Sequence, residues 1–168
     1  MQMRTNIKVI FGATAIAGAI IGLAFATPIV DLTSPLLAVG QHSDDIKTHG
    51  VGRTKSGQSF EVRLHTEGPA TISTQDAAYT VGGINGWHSH PGMVAVTLIS
   101  GSIQWFDGNC VETDYNAGDS WTEGSQLHYF RVVGTTGIHL NATFITAQGA
   151  ALRTDESAPA CAAALGLD

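Results

Sequence analysis

Short runs of apolar and polar residues dominate the chain from Ser59 onward. They are rich in Val, Ile, Thr and aromatic residues, and turn residues interrupt them about every eight to twelve positions, a spacing typical of all-β sandwiches and barrels. We therefore predict ten strands, at residues 59–65, 69–74, 78–82, 86–90, 93–99, 102–106, 110–115, 119–122, 127–133 and 137–146.

The segments on either side of these strands lack the pattern. Residues 27–57 are polar and mixed, and we interpret them as a linker and irregular lead-in to a barrel at 58–148. Residues 149–168 are expected to form a loose C-terminal tail or a short helix. Within the barrel, Ser100-Gly101 and Asp107-Gly108 are the strongest hairpin signals.

The first 26 residues have the pattern of an export signal. Residues 1–8 are basic, residues 9–26 carry no charge, and Ala24-Phe25-Ala26 matches a signal peptidase site. We expect an N-terminal helix that directs the protein to the periplasm, the cell envelope or the exterior, with the mature chain beginning near Thr27. An uncleaved membrane anchor is the alternative, because residues 9–26 are just long enough to span a bilayer.

The composition excludes some functions. The chain has 8 Lys and Arg against 14 Asp and Glu, which gives a net charge of −6. A phosphate backbone would be repelled by this balance, so we expect no nucleic-acid partner. Glycine is frequent, at 20 residues, and spread along the chain, which argues against a helical bundle.

The two cysteines occupy a predicted turn and the tail, at Cys110 and Cys161. In an oxidising compartment two lone cysteines most simply form a disulfide. That bond would attach the tail to the barrel and stabilise the fold by about 4 kcal/mol through loop-closure entropy. Two free thiols are the alternative.

The sequence Trp87-His88-Ser89-His90-Pro91 contains the strongest chemical signal. Two histidines at positions i and i+2 of a strand point to the same face, so both imidazoles can bind one metal ion. His128, on another predicted strand, is a candidate third ligand. The alternative is that these histidines only pack or lie on the surface.

The order of these elements resembles the cupin family, small β-barrels of the jelly-roll type. Its first motif reads G-x5-H-x-H-x3-4-E-x6-G, and its second reads G-x5-P-x-G-x2-H-x3-N. Here His88 and His90 precede Gly101, and Gly118 precedes His128 by one residue fewer than in the family. The resemblance covers about residues 59–146. It implies a cupin-type jelly-roll barrel with a divalent metal on His88, His90 and His128.

The chain departs from the family pattern at three places. Val94 occupies the position of the metal-binding glutamate, Gly124-Ser125-Gln126 replaces Pro-x-Gly, and Val132 replaces the asparagine. Three histidines alone suit Fe, Zn, Ni or Cu and lack the oxygen that favours manganese. Glu123 is a possible additional ligand, although an exposed loop is the commoner environment of such a glutamate.

Apolar residues are expected around the histidines. Strand alternation predicts an apolar pocket for a small molecule, whose lining includes Met93, Val94, Val96, Leu98 and Phe130. Tyr129 is expected on the outer face. The tryptophans are expected either at the pocket mouth or against a sheet face: Trp87, Trp105 and Trp121.

These observations support three hypotheses for function. The first is a metal-dependent oxygenase or related oxidoreductase that acts on a small organic molecule. The second is a non-catalytic protein that binds a metal or small ligand, and the third is a structural barrel without metal. Cupins often dimerise through sheet edges, so a homodimer is an additional expectation. Contact with a membrane is expected only through an uncleaved N-terminal segment.

Overall fold

The computed structural model describes residues 29–168, and most of this range is β-strand. The expected signal segment, residues 1–26, lies outside the described residues. Within residues 29–168 no helix has the length and apolar character needed to cross a membrane. The strands are β1 (Val30–Thr33), β2 (Leu36–His42), β3 (Lys47–Arg53), β4 (Ser59–His65), β5 (Ala70–Ile84), β6 (His88–Ser89), β7 (Met93–Ser100), β8 (Ser102–Asp107), β9 (Glu112–Asn116), β10 (Ser120–Glu123), β11 (His128–Val133), β12 (Ile138–Ala147) and β13 (Thr154–Asp155), and the helix is α1 (Ala162–Leu165).

The all-β prediction is confirmed, and most predicted strands match to within two residues at each end. The main difference is that the candidates at 69–74 and 78–82 form one strand, β5. The residues between them include no Gly or Pro, and β5 pairs with β12 continuously from Ala70 to Tyr79. A long uninterrupted ladder therefore replaces the turn expected there.

The main sheet folds into a nearly closed barrel with two layers. One layer has the order β10-β7-β12-β5, with β1 and β2 also paired to β5. The other contains β9, β8, β11, β6 and β13. The layers join where Arg131 of β11 pairs with Ile84 at the end of β5. Alternate residues of β7 and β12 point inward and form the apolar core, as the burial pattern of β12 shows with Ile138, Leu140 and Ala142 buried.

The two predicted hairpins behave differently. Asp107-Gly108 begins a hairpin, because β8 pairs with β9. Ser100-Gly101 instead forms a corner, since β7 pairs with β10 and β12 in one layer whereas β8 belongs to the other layer. Gly101 has a positive φ of 80°, and a Cβ there would lie 2.6 Å from the carbonyl oxygen of Gly137. Close packing at a barrel corner, rather than a tight hairpin, explains this glycine.

The expectation of an irregular lead-in at residues 27–57 is corrected by the structure. β1 and β2 extend the main sheet along β5, and β3 forms a separate two-stranded sheet with β4. The seven residues of β2 are all exposed. Because these strands bury little surface, they show no alternation of apolar and polar residues, and the sequence pattern did not reveal them. The main sheet therefore extends beyond the expected barrel limits of 58–148 at both ends.

The C-terminal tail packs against the outer face of the barrel. Cys110 and Cys161 form the predicted disulfide, with an S–S distance of 2.07 Å. Helix α1 follows directly, and Leu167 after it is buried in a second apolar cluster with Trp87 and Tyr129. Tyr129 faces away from the barrel interior, as expected, but the tail covers it. The tail is thus an ordered part of the fold, with a short helix.

Candidate metal centre

Four side chains from three strand regions meet inside the barrel. They offer one possible ligand atom each, and these atoms all lie within 4.8 Å of one another. We call this group the candidate metal cluster: His88, His90, Glu123 and His128. Strand β6 lies between β11 and β13, so that His88 pairs directly with His128. The three histidines are at most 4% exposed, and the Glu123 side chain is 6% exposed.

Backbone carbonyls fix the protonation pattern of all three imidazoles. The Nδ1 atoms of His88, His90 and His128 lie 2.9, 2.6 and 2.8 Å from the carbonyl oxygens of Gly86, Leu152 and Gln126. A carbonyl oxygen can only accept, so each Nδ1 carries the proton. In the neutral ring the lone pair is then on Nε2, the arrangement common in metal-binding histidines.

Two of the three Nε2 atoms, those of His90 and His128, face the Glu123 carboxylate. Glu123 Oε2 lies 3.3 Å from Nε2 of both His90 and His128. Both nitrogens are buried, and neither has a hydrogen-bond partner among residues 29–168. A buried carboxylate oxygen facing two lone-pair nitrogens is unfavourable unless a cation or protons lie between them.

Two indoles hold the other oxygen of Glu123. Trp105 Nε1 and Trp121 Nε1 donate to Glu123 Oε1 at 3.1 and 2.8 Å. Burial raises the pKa of this carboxyl, but the contacts with His128 and His90 and the Trp121 hydrogen bond outweigh it, so that the pKa lies well below its usual range. The two histidine contacts lower this pKa when positive charge, a proton or a cation, lies at their Nε2 atoms. Glu123 is therefore ionised, with Oε1 satisfied and Oε2 free to bind a cation.

His88 is held in the neutral form. Burial, followed by the nearby His128 and Arg153, lowers its pKa to about 3. A neutral imidazole keeps its nitrogen lone pair available as a ligand at physiological pH. The environment thus favours the form of His88 that binds metal.

The carboxylate comes from a different strand than the family motif predicts. Val94 on β7 is fully buried. Its direct cross-strand partner on β10 is Glu123. The expectation of Glu123 in an exposed loop is therefore wrong: β10 extends one residue beyond the predicted strand and carries Glu123 inward. Although Val94 replaces the glutamate of the motif, a carboxylate oxygen is present beside the histidines, at Glu123.

An apolar cavity of about 200 Å³ lies beside the cluster. Residues of β5, β7, β11 and β12 form its walls, among them Val94, Val96, Phe130, Leu140 and Phe144. Val94, Val96 and Phe130 line the cavity as predicted. Leu98 is buried in the barrel core but is not among the residues that line the cavity. Met93 was wrongly included: it is 43% exposed, because it precedes Val94 on the strand and so points to the opposite face.

Sequence reasoning missed the contribution of the tail and the role of two tryptophans. Leu152 and Arg153, from the expected loose tail, line the cavity, and nothing in their local sequence indicated this. For Trp121 a signal existed, since it precedes Glu123 by two residues on one strand and shares its face. Trp105 is brought in by β8, and its ring stacks on His128 at a centroid distance of 5.8 Å.

The residues of the cluster fit a divalent metal ion. Two of the three imidazoles have buried Nε2 atoms without a hydrogen-bond partner in the described range, and the ionised carboxylate faces both. Three nitrogen donors and one carboxylate oxygen suit Fe(II), Mn, Zn, Ni or Cu. Because carboxylate oxygen suits manganese, this metal joins those expected from three histidines alone.

Comparison with known proteins gives matches at the level of structure only. No protein-family model matches the chain, and no curated protein matches it. Similar solved structures include a cupin superfamily protein from Desulfitobacterium hafniense, with 10% identity and a TM-score of 0.45 over 68% of this chain and 77% of that one. A cupin-like protein from Thermotoga maritima has 15% identity and a TM-score of 0.47 over 52% and 65%.

A third similar structure is an oxalate oxidase in complex with the substrate analogue glycolate. It has 17% identity and a TM-score of 0.43, over 50% of this chain and 45% of that one. The chain thus spans less than half of the oxalate oxidase. With TM-scores below 0.5, these likenesses carry no conclusion for this chain, and the chemistry rests on the geometry of the cluster itself.

Proposed function

We propose that the candidate metal cluster binds one divalent metal ion and that the protein is a metal-dependent oxygenase or related oxidoreductase acting on a small organic molecule. One observation carries the proposal: Glu123 Oε2 lies 3.3 Å from the Nε2 atoms of both His90 and His128 in a buried space. A divalent cation satisfies all three atoms at once.

The chain's own residues prepare this site for chemistry. The three Nδ1–carbonyl hydrogen bonds orient the imidazoles, and the two indoles orient the carboxylate. The apolar walls exclude water and leave room for a small substrate beside the ligands. When bound, the ion supplies a Lewis acid, and iron, manganese or copper also supplies a redox centre.

One observation favours the second candidate function, a non-catalytic metal-binding or ligand-binding protein. Among the described residues that line the cavity, the ionisable side chains outside the cluster are Tyr79 and Arg153. Burial raises the pKa of Tyr79, so its hydroxyl stays protonated at physiological pH. The cavity therefore has no evident general base besides the ligands themselves, and a reaction would depend on the ion.

Elemental analysis of the protein purified without a histidine tag tests metal binding. We expect one ion per chain, and we expect the ion to be lost from His88→Ala/His90→Ala and from His128→Ala while circular dichroism still reports a folded barrel. His65→Ala is the matched control, since His65 is exposed on β4 outside the cluster. If the protein takes up no metal even after reconstitution, the metal and enzyme proposals both fail.

Oxygen consumption by the loaded protein separates the two candidate functions. We expect uptake with the correct small organic substrate, and no uptake by Glu123→Gln. A stoichiometric ion without turnover on a broad panel of small organic acids, alcohols and thiols would support the binding protein instead.

We also propose that the protein is exported. The uncharged run at residues 9–26 behind a basic start supports this location, and so does a disulfide between the only two cysteines of the chain. Mass spectrometry of protein recovered from the envelope and the medium should find a mature N-terminus near Thr27, or the intact chain in membranes. Retention of the intact chain in the cytoplasm would contradict export.

A further inference from the structure

We propose that the cavity takes a small organic carboxylate, whose charged end pairs with the guanidinium of Arg153. This inference rests on the proposed function, because it names the substrate class of the same site. Arg153 lines the cavity together with His88, His90 and Glu123. Among the described lining residues it is the one lysine or arginine.

The guanidinium is fixed in position but keeps donors free. Arg153 Nη1 donates to the carbonyl oxygen of Asn85 at 3.0 Å, and Nε donates to Asp155 Oδ1 at 2.8 Å. Nη2 also lies 2.5 Å from Oδ1 of Asp155, as part of an ion pair, and is buried. Because a guanidinium carries five N–H groups, donors remain on Nη1 and Nη2.

The charge of the loaded site favours an anion. A divalent ion with the Glu123 carboxylate and three neutral imidazoles would have a net charge of +1, and the Arg153–Asp155 ion pair adds no net charge. An anionic ligand would therefore enter a cavity of net positive charge.

The size and walls of the cavity define the rest of the ligand. A volume of about 200 Å³ holds roughly seven water-sized groups. The other walls of the cavity are mostly apolar, with Phe130, Leu140 and Phe144 among them. A planar carboxylate matches the guanidinium edge, and a short aliphatic chain or a single ring matches the walls.

Calorimetric titration with benzoate and its neutral isostere benzamide tests the inference. We expect wild-type protein to bind benzoate at least roughly tenfold more tightly than benzamide, the preference that a charge-assisted hydrogen bond confers. Arg153→Gln should remove this preference, and Arg153→Lys, which keeps the charge, should retain part of it. Arg131→Gln is the matched control, since Arg131 bonds to Gln104 and does not line the cavity.

Equal affinities for benzoate and benzamide, no benzoate binding, or an unchanged preference in Arg153→Gln would overturn the inference. The wild-type comparison stands even if a variant fails to fold. Metal content, measured on the same samples, separates this failure from that of the proposed function. Stoichiometric metal without a benzoate preference refutes only the carboxylate site, whereas an Arg153-dependent preference without metal uptake refutes only the metal site.

Discussion

Val94 and Glu123 are direct cross-strand partners on β7 and β10, and both line the same cavity. Cβ atoms of residues paired in this way lie about 4.5–5.5 Å apart. Val94 stands where the cupin motif has its glutamate, so the carboxylate reaches the histidines from the neighbouring strand. The carboxylate beside the histidines is thus supplied one strand away from the position that the resemblance to cupins indicated.

This pairing predicts that a glutamate at position 94 can replace Glu123 in metal binding. Glu123→Ala should lower the metal affinity, because three histidines remain but no other carboxylate belongs to the candidate metal cluster. Val94→Glu in the Glu123→Ala background should restore it, as measured by elemental analysis and metal titration. Val96→Glu in the same background is the matched control: Val96 is also buried in the cavity wall, but it pairs with Trp121, and it should not restore the affinity.

The indole donors predict a graded effect on metal affinity. Trp121→Phe removes the N–H that donates to Glu123 Oε1 at 2.8 Å but keeps an aromatic ring. We expect metal affinity to fall by roughly 10–100-fold, the usual cost of losing a contact that orients a ligand. Trp87→Phe is the control, since Trp87 donates to the carbonyl of Leu167 outside the cluster and should change stability alone. Equal metal affinities in Trp121→Phe and wild type would contradict the role given to the indole.

The buried neutral state of His88 predicts acid sensitivity of the metal-free protein. Its pKa is about 3 in the folded chain, against 6.5 for the unperturbed group. Below pH 6.5 the unfolded chain takes up a proton that folded His88 does not, so the free energy of unfolding falls as the pH drops from 6.5 towards 3. The low pKa of Glu123 acts in the same direction at the acid end of this range, and above pH 6.5 His88 contributes no slope.

Urea unfolding of chelator-treated protein at several pH values measures this dependence. In His88→Asn the free energy of unfolding should fall less steeply between pH 6.5 and 4.5 than in the wild type. The two slopes should differ by at most about 1.4 kcal/mol per pH unit, the value for one proton. Parallel curves for wild type and variant would show that His88 titrates normally in the folded protein.

The disulfide predicts a link between tail and site. Cys110→Ser/Cys161→Ser should lower the free energy of unfolding by about 4 kcal/mol, since the bond spans 51 residues. The metal affinity should fall too, because the tail supplies the Leu152 carbonyl that orients His90. Thermal unfolding and metal titration of the double variant check both effects. An unchanged affinity together with reduced stability would show that the tail holds its place without the bond.

The strands and the histidines were predictable because each follows a short-range rule. The spacing His88-x-His90 places both rings on one face, and the alternation in β7 and β12 marks the barrel interior. These features depend on residues two positions apart in the chain, so local sequence contains them.

The remaining parts of the site depend on contacts between distant segments. Glu123 enters the site through a ladder with β7, and its inward direction depends on where β10 ends. Leu152 reaches His90 from 62 residues away in the sequence. Strands β1 and β2 are held mainly by pairing to β5, so their sequences show no alternation of apolar and polar residues that would predict them.

The hydrogen bonds from the three Nδ1 atoms to backbone carbonyls make the ligand orientation independent of side-chain identity. In His88 and His128 the acceptor lies two residues earlier in the chain, at Gly86 and Gln126, so the oxygen comes from the main chain; at Gly86 the positive φ of 68° favours glycine. Substitutions there that preserve the path of the main chain leave the imidazoles in place. Position 126 can therefore vary without moving His128, whereas position 86 favours glycine, so related sites are better sought by the spacing and pairing of the histidines together with this glycine.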